Sequence, residues 1–147
     1  MKILNSPLIS VIVPCFNSGR TIKRTILSIK KQTWAKKEII LVNDGSTDGL
    51  TLNTLKELGE EKIVKLVNQE NNGLASARNK GVNQSSGIFL FFLDADDWIE
   101  PQTLEMMYLH LIKNKKCGYV FPDIVLEGKR KGLIEKEFNF FEQFFLN

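Results

Sequence analysis

The sequence is poor in the residues that most side-chain chemistries require. It contains one histidine, His110, and two cysteines, Cys15 and Cys117, in 147 residues. One histidine, placed off the apolar stripe of its helix, reads as a surface residue and supports no Ser-His-Asp or Cys-His set. The cysteines lie far apart with no C-x-x-C spacing, which excludes a disulfide scaffold and a thiolate zinc site. Both fall in apolar stretches and read as buried free thiols, in keeping with a reducing, cytoplasmic compartment. Long apolar runs are also missing: the longest, Ile88 to Leu93, is strand-sized. Asn5, Ser6 and Pro7 interrupt any signal-peptide core after Lys2, Ile3 and Leu4. Without such a signal, Asn83-Gln84-Ser85 reads as a chance match to a glycosylation acceptor. Charge of one sign is scarce: 20 basic against 17 acidic residues leave +3, too little to argue for nucleic acid.

What remains is an ordinary globular composition, 43% hydrophobic and 25% charged, in one domain's length of chain. Apolar patterning divides it into alternating strands and helices. Leu8 to Val13 is a β-branched run closed by Pro14 and predicts a buried strand. Thr21 to Gln32 carries Ile22, Ile26 and Ile29 on one helical stripe. Glu38 to Val42 is a second strand, ended by the turn cluster Asn43-Asp44-Gly45-Ser46. Thr51 to Leu58 predicts a short helix with Leu52, Leu55 and Leu58 spaced three apart, stopped by Gly59. Ile63 to Val67, Leu74 to Asn83 and Ile88 to Leu93 read as strand, helix and strand, the last apolar throughout as a sheet buried on both faces requires. Pro101 opens the clearest amphipathic helix, with Leu104, Met107, Tyr108, Leu111 and Ile112 on one stripe. Tyr119 to Leu126 predicts a fifth strand, which Pro122 demotes to an edge. The alternation implies an α/β fold with a mostly parallel sheet and helices on both faces.

The end of the chain is different in kind. Phe138, Phe140, Phe141, Phe144 and Phe145 crowd a segment that as a helix would be apolar around much of its circumference. Either it packs on this small domain, or this piece belongs to a longer protein whose remainder covers that surface, which we expect at least equally. Lys129-Arg130-Lys131, between Gly128 and Gly132, reads as a solvated turn.

In an open parallel sheet, ligands bind beyond the carboxyl ends of the strands. Three polar segments fall there: Pro14-Cys15-Phe16-Asn17, Asn43-Asp44-Gly45-Ser46 and Asp94-Ala95-Asp96-Asp97. Carboxylates so close in sequence repel unless a cation or basic side chain neutralises them, and hard oxygens suit Mg²⁺ or Mn²⁺. The competing reading is acidic residues ahead of the helix opened by Pro101, which explains Asp97 better than Asp94. Asp44 is either a turn residue or an acceptor for a nucleobase N–H. Phe16 either stacks on a base or joins the core, and by itself favours the core. Asp48 and Gly49 read as helix-start residues. Asn71 to Asn79 puts small residues at a helix start, offering N–H groups and the Arg78 fork to phosphate, or else serving close packing.

Four segments in order carry a resemblance: Ser10-Val-Ile-Val-Pro14-Cys-Phe16-Asn17, Glu38-Ile-Ile-Leu-Val-Asn-Asp44-Gly-Ser-Thr-Asp48-Gly, Asn72-Gly-Leu-Ala-Ser-Ala-Arg78-Asn79-Lys-Gly81 and Phe92-Leu-Asp94-Ala-Asp96-Asp97. From about Leu8 to about Leu126 the chain resembles the N-terminal nucleotide-sugar-binding part of a family 2 glycosyltransferase with the GT-A (Rossmann-like) fold. The resemblance implies that Pro14, Phe16 and Asn17 line the nucleobase and ribose. It implies that Asp44 recognises the base, usually uracil, and that Gly73 and Arg78 flank base and diphosphate. Asp94, Ala95 and Asp96 match the D-x-D segment at the donor, with Asp94 and Asp96 toward Mn²⁺ or Mg²⁺. Asn43 stands where the family often has aspartate. The implied reaction is inverting transfer from a nucleotide-diphosphate sugar, UDP-linked by analogy, to an acceptor hydroxyl of a glycan, lipid-linked or protein acceptor, as in cell-envelope polysaccharide assembly. Peripheral association with the inner face of the membrane is compatible with it.

The resemblance divides the chain into a donor-binding core, residues 1–126, and the start of an acceptor-side region, 127–147. The catalytic base of the family has no counterpart here, since nothing in their context marks Asp123 or Glu127; it is expected outside this piece. Two other readings stay open: a non-catalytic module that binds a nucleotide sugar, and a sugar-nucleotide pyrophosphorylase. The second wants a Gly-rich loop after the first strand, which Pro14 to Gly19 is not. A haloacid-dehalogenase-like phosphatase would carry its D-x-D after the first strand instead of the fourth.

Overall fold

The computed structural model describes residues 6–114, 116–126 and 132–134. Elements follow in the order β1 (Ile9–Cys15), α1 (Ile22–Lys30), β2 (Lys37–Asp44), α2 (Gly49–Gly59), β3 (Val64–Gln69), α3 (Leu74–Asn83), β4 (Phe89–Phe92), α4 (Thr103–Lys113), β5 (Ile124–Leu126) and β6 (Gly132–Ile134). The chain forms two compact units with the break after Met106. In the first, β3-β2-β1-β4 make a four-stranded sheet with every pair parallel.

The sheet is built around β1 and β2, whose apolar residues from Ile9 to Val13 and Ile39 to Val42 are buried on both faces. Register sorts them. Ile12 lies beside Ile40, and with Val42 they form one cluster with Ala77 of α3. Gly81 brings α3 onto this face, because a Cβ there would fall 2.3 Å from the Ile12 methyl. α2 packs against β3, where Gly59 meets Leu66. The stripe Ile22, Ile26 and Ile29 of α1 is buried as expected. Each such side chain stabilises by about 1.5–3 kcal/mol relative to an exposed one.

The amino end of the sheet is tied by a polar knot. Buried Ser10 donates to Glu38 Oε1 at 2.6 Å. The same oxygen accepts the Ser86 N–H at 2.6 Å, while Gly87 N–H donates to Ser10 Oγ at 2.8 Å. This fastens the turn before β4 to β1 and β2, far from the strands' carboxyl ends.

Several expectations need correction. Ile88 to Leu93 is not buried throughout: only Phe89–Phe92 is strand, and Ile88, Leu90 and Phe92 are exposed, Ile88 by 77%. Among the described residues β4 is an outer strand of the sheet, with β1 as its one neighbour. Tyr119 to Leu126 does not extend the parallel sheet. Only Ile124–Leu126 is strand, and it pairs antiparallel with β6 in the second unit; Pro122, with no N–H, lies outside it. In α2 the inward residues are Thr51, Thr54, Leu55 and Leu58, whereas Leu52 is exposed. In α4 only Leu104 is fully buried, and Ile112 is exposed. Cys15 is buried but Cys117 is exposed. His110 is exposed, as read. The Lys129 to Lys131 turn and the phenylalanines from Phe138 onward lie outside the described residues.

Candidate functional site at the carboxyl rim of the sheet

The carboxyl ends of β2, β1 and β4 are neighbours in the sheet, so the loops that leave them share one rim. The first two are laced together by Asn17. Its backbone takes the left-handed conformation, φ 50°, which asparagine tolerates better than most residues. Its Oδ1 accepts the N–H groups of Thr47 at 2.8 Å and Asp48 at 3.3 Å, and its own N–H donates to Ser46 Oγ at 3.1 Å. Asn17 thus holds the turn after β2 against the loop after β1. Beside it Phe16 is 46% exposed, which rules out the core reading. Pro14 is buried within β1. Burial pushes the Cys15 thiol above its ordinary value despite hydrogen bonding with Ser18, so it is no thiolate nucleophile.

Asp44 is 4% exposed and organises the segment after β3. Oδ1 accepts from Gln69 Nε2 at 2.7 Å and Asn72 N–H at 2.9 Å; Oδ2 accepts the Gly73 N–H at 3.0 Å. Burial alone raises its pKa, but the bonds from Asn72, Gln69 and Gly73 outweigh that and hold it below the ordinary carboxylate value. Gly45 makes the arrangement possible. It has φ +69°, and a Cβ there would stand 2.6 Å from the Asn71 nitrogen. Gly73, at φ +85°, begins α3. Asn43, the departure from the family pattern, has a structural task. Its Nδ2 donates to Asn68 Oδ1 at 3.0 Å, and its Oδ1 accepts the Ser46 N–H at 2.9 Å. Asp48 caps α2 by accepting the Thr51 N–H at 2.8 Å, the helix-start role expected of it.

One turn into α3, Arg78 Nη2 meets Asp94 Oδ1 at 2.7 Å. The pair is partly exposed, yet Arg78 Nε is buried with no partner among the described residues. Asp96 and Asp97 are exposed. Partial desolvation, then Asp96 and Asp94, push the Asp97 carboxyl up, and Arg24 only partly offsets them. Among the described residues no three His, Cys, Asp or Glu side chains gather into a metal cage.

The loop after β4 is gripped from α1, through backbone atoms. Thr25 Oγ1 reaches the Ala95 carbonyl at 2.9 Å and the Asp97 carbonyl at 2.7 Å. Arg24 donates to the Asp96 carbonyl at 3.1 Å and stacks on Trp98, 3.8 Å from the ring centre. Ser28 Oγ accepts the Ile99 N–H at 3.3 Å; Gln32 donates to the Glu100 carbonyl at 2.6 Å and accepts the Leu104 N–H at 3.1 Å. Ala95 itself is buried. The patterning of α1 did not single these residues out, nor Gln69 and Asn72 around Asp44. A signal existed for Thr25: a hydroxyl on an otherwise isoleucine stripe needs a buried partner.

The sites read from sequence therefore fall into two groups, Asn17, Asp44 and Gly73 around the β2 turn, and Arg78 with Asp94 beside the β4 loop. α3 carries Arg78 one turn beyond the Gly73 cap and so links them. No described helix is long and apolar enough to cross a membrane.

Known proteins resemble both the sequence and the fold. The family model described as glycosyl transferase family 2 matches residues 10–146. Glycosyltransferase GlyA of Streptococcus pneumoniae is 41% identical over 106 residues, covering 71% of this chain and 15% of that protein. WfgD of Escherichia coli, a UDP-Glc:alpha-D-GlcNAc-diphosphoundecaprenol beta-1,3-glucosyltransferase, is 39% identical over 108 residues, covering 73% of this chain and 42% of that protein. The crystal structure of S. aureus TarS in complex with UDP-GlcNAc superposes with a TM-score of 0.65 at 32% identity, covering 73% of this chain and 32% of that one. The chain thus spans less than half the length of each of these three relatives. Parallel sheet, rim motifs and a family match over nearly all of the sequence lead to one conclusion: this chain belongs to glycosyltransferase family 2 and has the GT-A fold.

Proposed function

We propose that this chain is the donor-binding part of a glycosyltransferase that passes a sugar from a UDP-linked donor, with inversion, to an acceptor hydroxyl. The observation that carries the reading is the joint position of Phe16, Asp44 and the Arg78–Asp94 pair at the carboxyl rim of the sheet. TarS, whose structures include complexes with UDP and with UDP-GlcNAc, supports the choice of nucleotide. Phe16 offers an exposed ring face to the base. Asp44 Oδ2 accepts one bond, from Gly73, and keeps a lone pair for a base N–H. Arg78, whose guanidinium is partly exposed beside Asp94, offers its outer edge to a phosphate oxygen. Pro14, Asn17 and Ala95 act through the backbone shape of the rim.

The donor set at Asp94 and Asp96 fits a divalent cation of the Mn²⁺ or Mg²⁺ kind. It is all oxygen, as such hard cations prefer, and Asp96 is exposed. These ions are commonly held by one or two carboxylates plus substrate phosphates, so a closed cage of three side chains is not required. Bound there, the ion would offset negative charge on the leaving diphosphate. The carboxylate base that deprotonates the acceptor belongs outside this piece, with 127–147 leading to the acceptor side. A lipid-linked acceptor at the inner membrane face accords with the diphosphoundecaprenol in the name of the E. coli relative; glycan and protein acceptors are the other options.

The test is a thermal-shift panel of nucleotide sugars with Mn²⁺ or with EDTA, since a ligand that binds the folded state raises Tm by mass action. UDP-sugars with Mn²⁺ should give the largest shift, and Asp96→Asn should abolish the Mn²⁺-dependent part with the fold intact. No shift from any UDP-sugar would overturn the proposal.

A further inference from the structure

We infer that Thr25 is a positioning residue for the Asp94-Ala95-Asp96 segment, so that helix α1 sets the aim of the Asp96 carboxylate. The inference rests on the metal-assisted reading above. Thr25 is fully buried on the face of α1 that otherwise presents Ile22, Ile26 and Ile29. Its single hydroxyl hydrogen is shared between the Ala95 and Asp97 carbonyls, which flank Asp96 on either side. Arg24 takes the carbonyl of Asp96 itself. Peptide units are planar. Fixing the carbonyls of Ala95 and Asp96 therefore fixes both peptide planes that meet at the Asp96 α-carbon, and with them the direction of its side chain. All of these bonds end on backbone oxygens, so the carboxylate is oriented without being occupied. Ser28 and Gln32 hold the same loop farther along, at Ile99 and Glu100. Neighbours that orient metal-binding groups in this way commonly change metal affinity by about 10- to 100-fold when removed.

The test is calorimetry of UDP binding to the whole chain, in Mn²⁺ and in EDTA. Thr25→Val keeps shape and volume but removes the donor. It should bind UDP in EDTA as the wild type does, while the gain conferred by Mn²⁺ falls by about 10- to 100-fold. Thr25→Ser should retain that gain. If Thr25→Val keeps the full Mn²⁺ gain, or loses equally in Mn²⁺ and EDTA, the positioning role is overturned. If Thr25→Val does not fold by circular dichroism, Thr25→Ala and Thr25→Ser are compared: retention by serine alone supports the role, and equal behaviour overturns it. A wild type that gains nothing from Mn²⁺ overturns the metal reading and this inference together, a result visible before any variant is made.

Discussion

Replacing Asp44 by asparagine tests the wiring beneath the proposed base site. The substitution preserves shape and removes the charge. Oδ1 can still accept from Gln69 and Asn72, though as a neutral acceptor. The new amide nitrogen faces the Gly73 N–H, donor against donor. Hydrogen bonds to a charged group contribute about 1.5–3 kcal/mol each, and neutral ones about half that. Losing one bond and weakening two should therefore cost about 3–6 kcal/mol at pH 7. For a chain of this size that lowers Tm by about 10–20 °C. The cost should depend on pH in a defined direction. The folded pKa of Asp44 lies below its ordinary 3.8. Its stabilisation is then fully present above pH 3.8 and disappears as pH falls through the lower folded value. Urea melts of both proteins, at pH 7 and at the most acidic pH where both still fold, measure the gap. It should narrow in acid, because a protonated Asp44 also becomes a donor. A gap of equal size at both pH values would refute the reasoning.

Phe16→Ala should leave stability within about 0.5 kcal/mol, since the ring is largely outside the core. It should weaken UDP binding by about 1–3 kcal/mol if the ring stacks on the base; calorimetry and a melt separate the two effects. Gly81→Ala should destabilise by about 1–3 kcal/mol in a urea melt, because the added methyl would press on Ile12 where α3 meets β1; an unchanged midpoint would show that α3 can draw back freely.

The elements whose apolar spacing matched their burial were legible from sequence. Ile22, Ile26 and Ile29 marked α1, and the β-branched runs marked β1 and β2, because their neighbours bury them on both faces. β4 misled for the opposite reason. Its residues are as apolar as those of β1, but burial of a strand depends on where the sheet order puts it, which no local pattern encodes. The rim was readable because carboxylates and turn residues clustered after apolar runs. Its internal bonding was not: that Asp44 would be satisfied by Gln69, Asn72 and Gly73 depends on β2 and β3 lying side by side. The hold of Thr25 on the β4 loop likewise joins residues about seventy positions apart.

The bare flank of β4 has a practical meaning for work with this polypeptide. Leu90 and Phe92 present greasy side chains on a strand that, among the described residues, has a partner on only one side, the combination that invites self-association. Concentrated preparations should be handled with that hazard in view. A lysine at position 90, of the kind natural proteins use to blunt such borders, offers a route to better-behaved samples without touching the loops of the carboxyl rim.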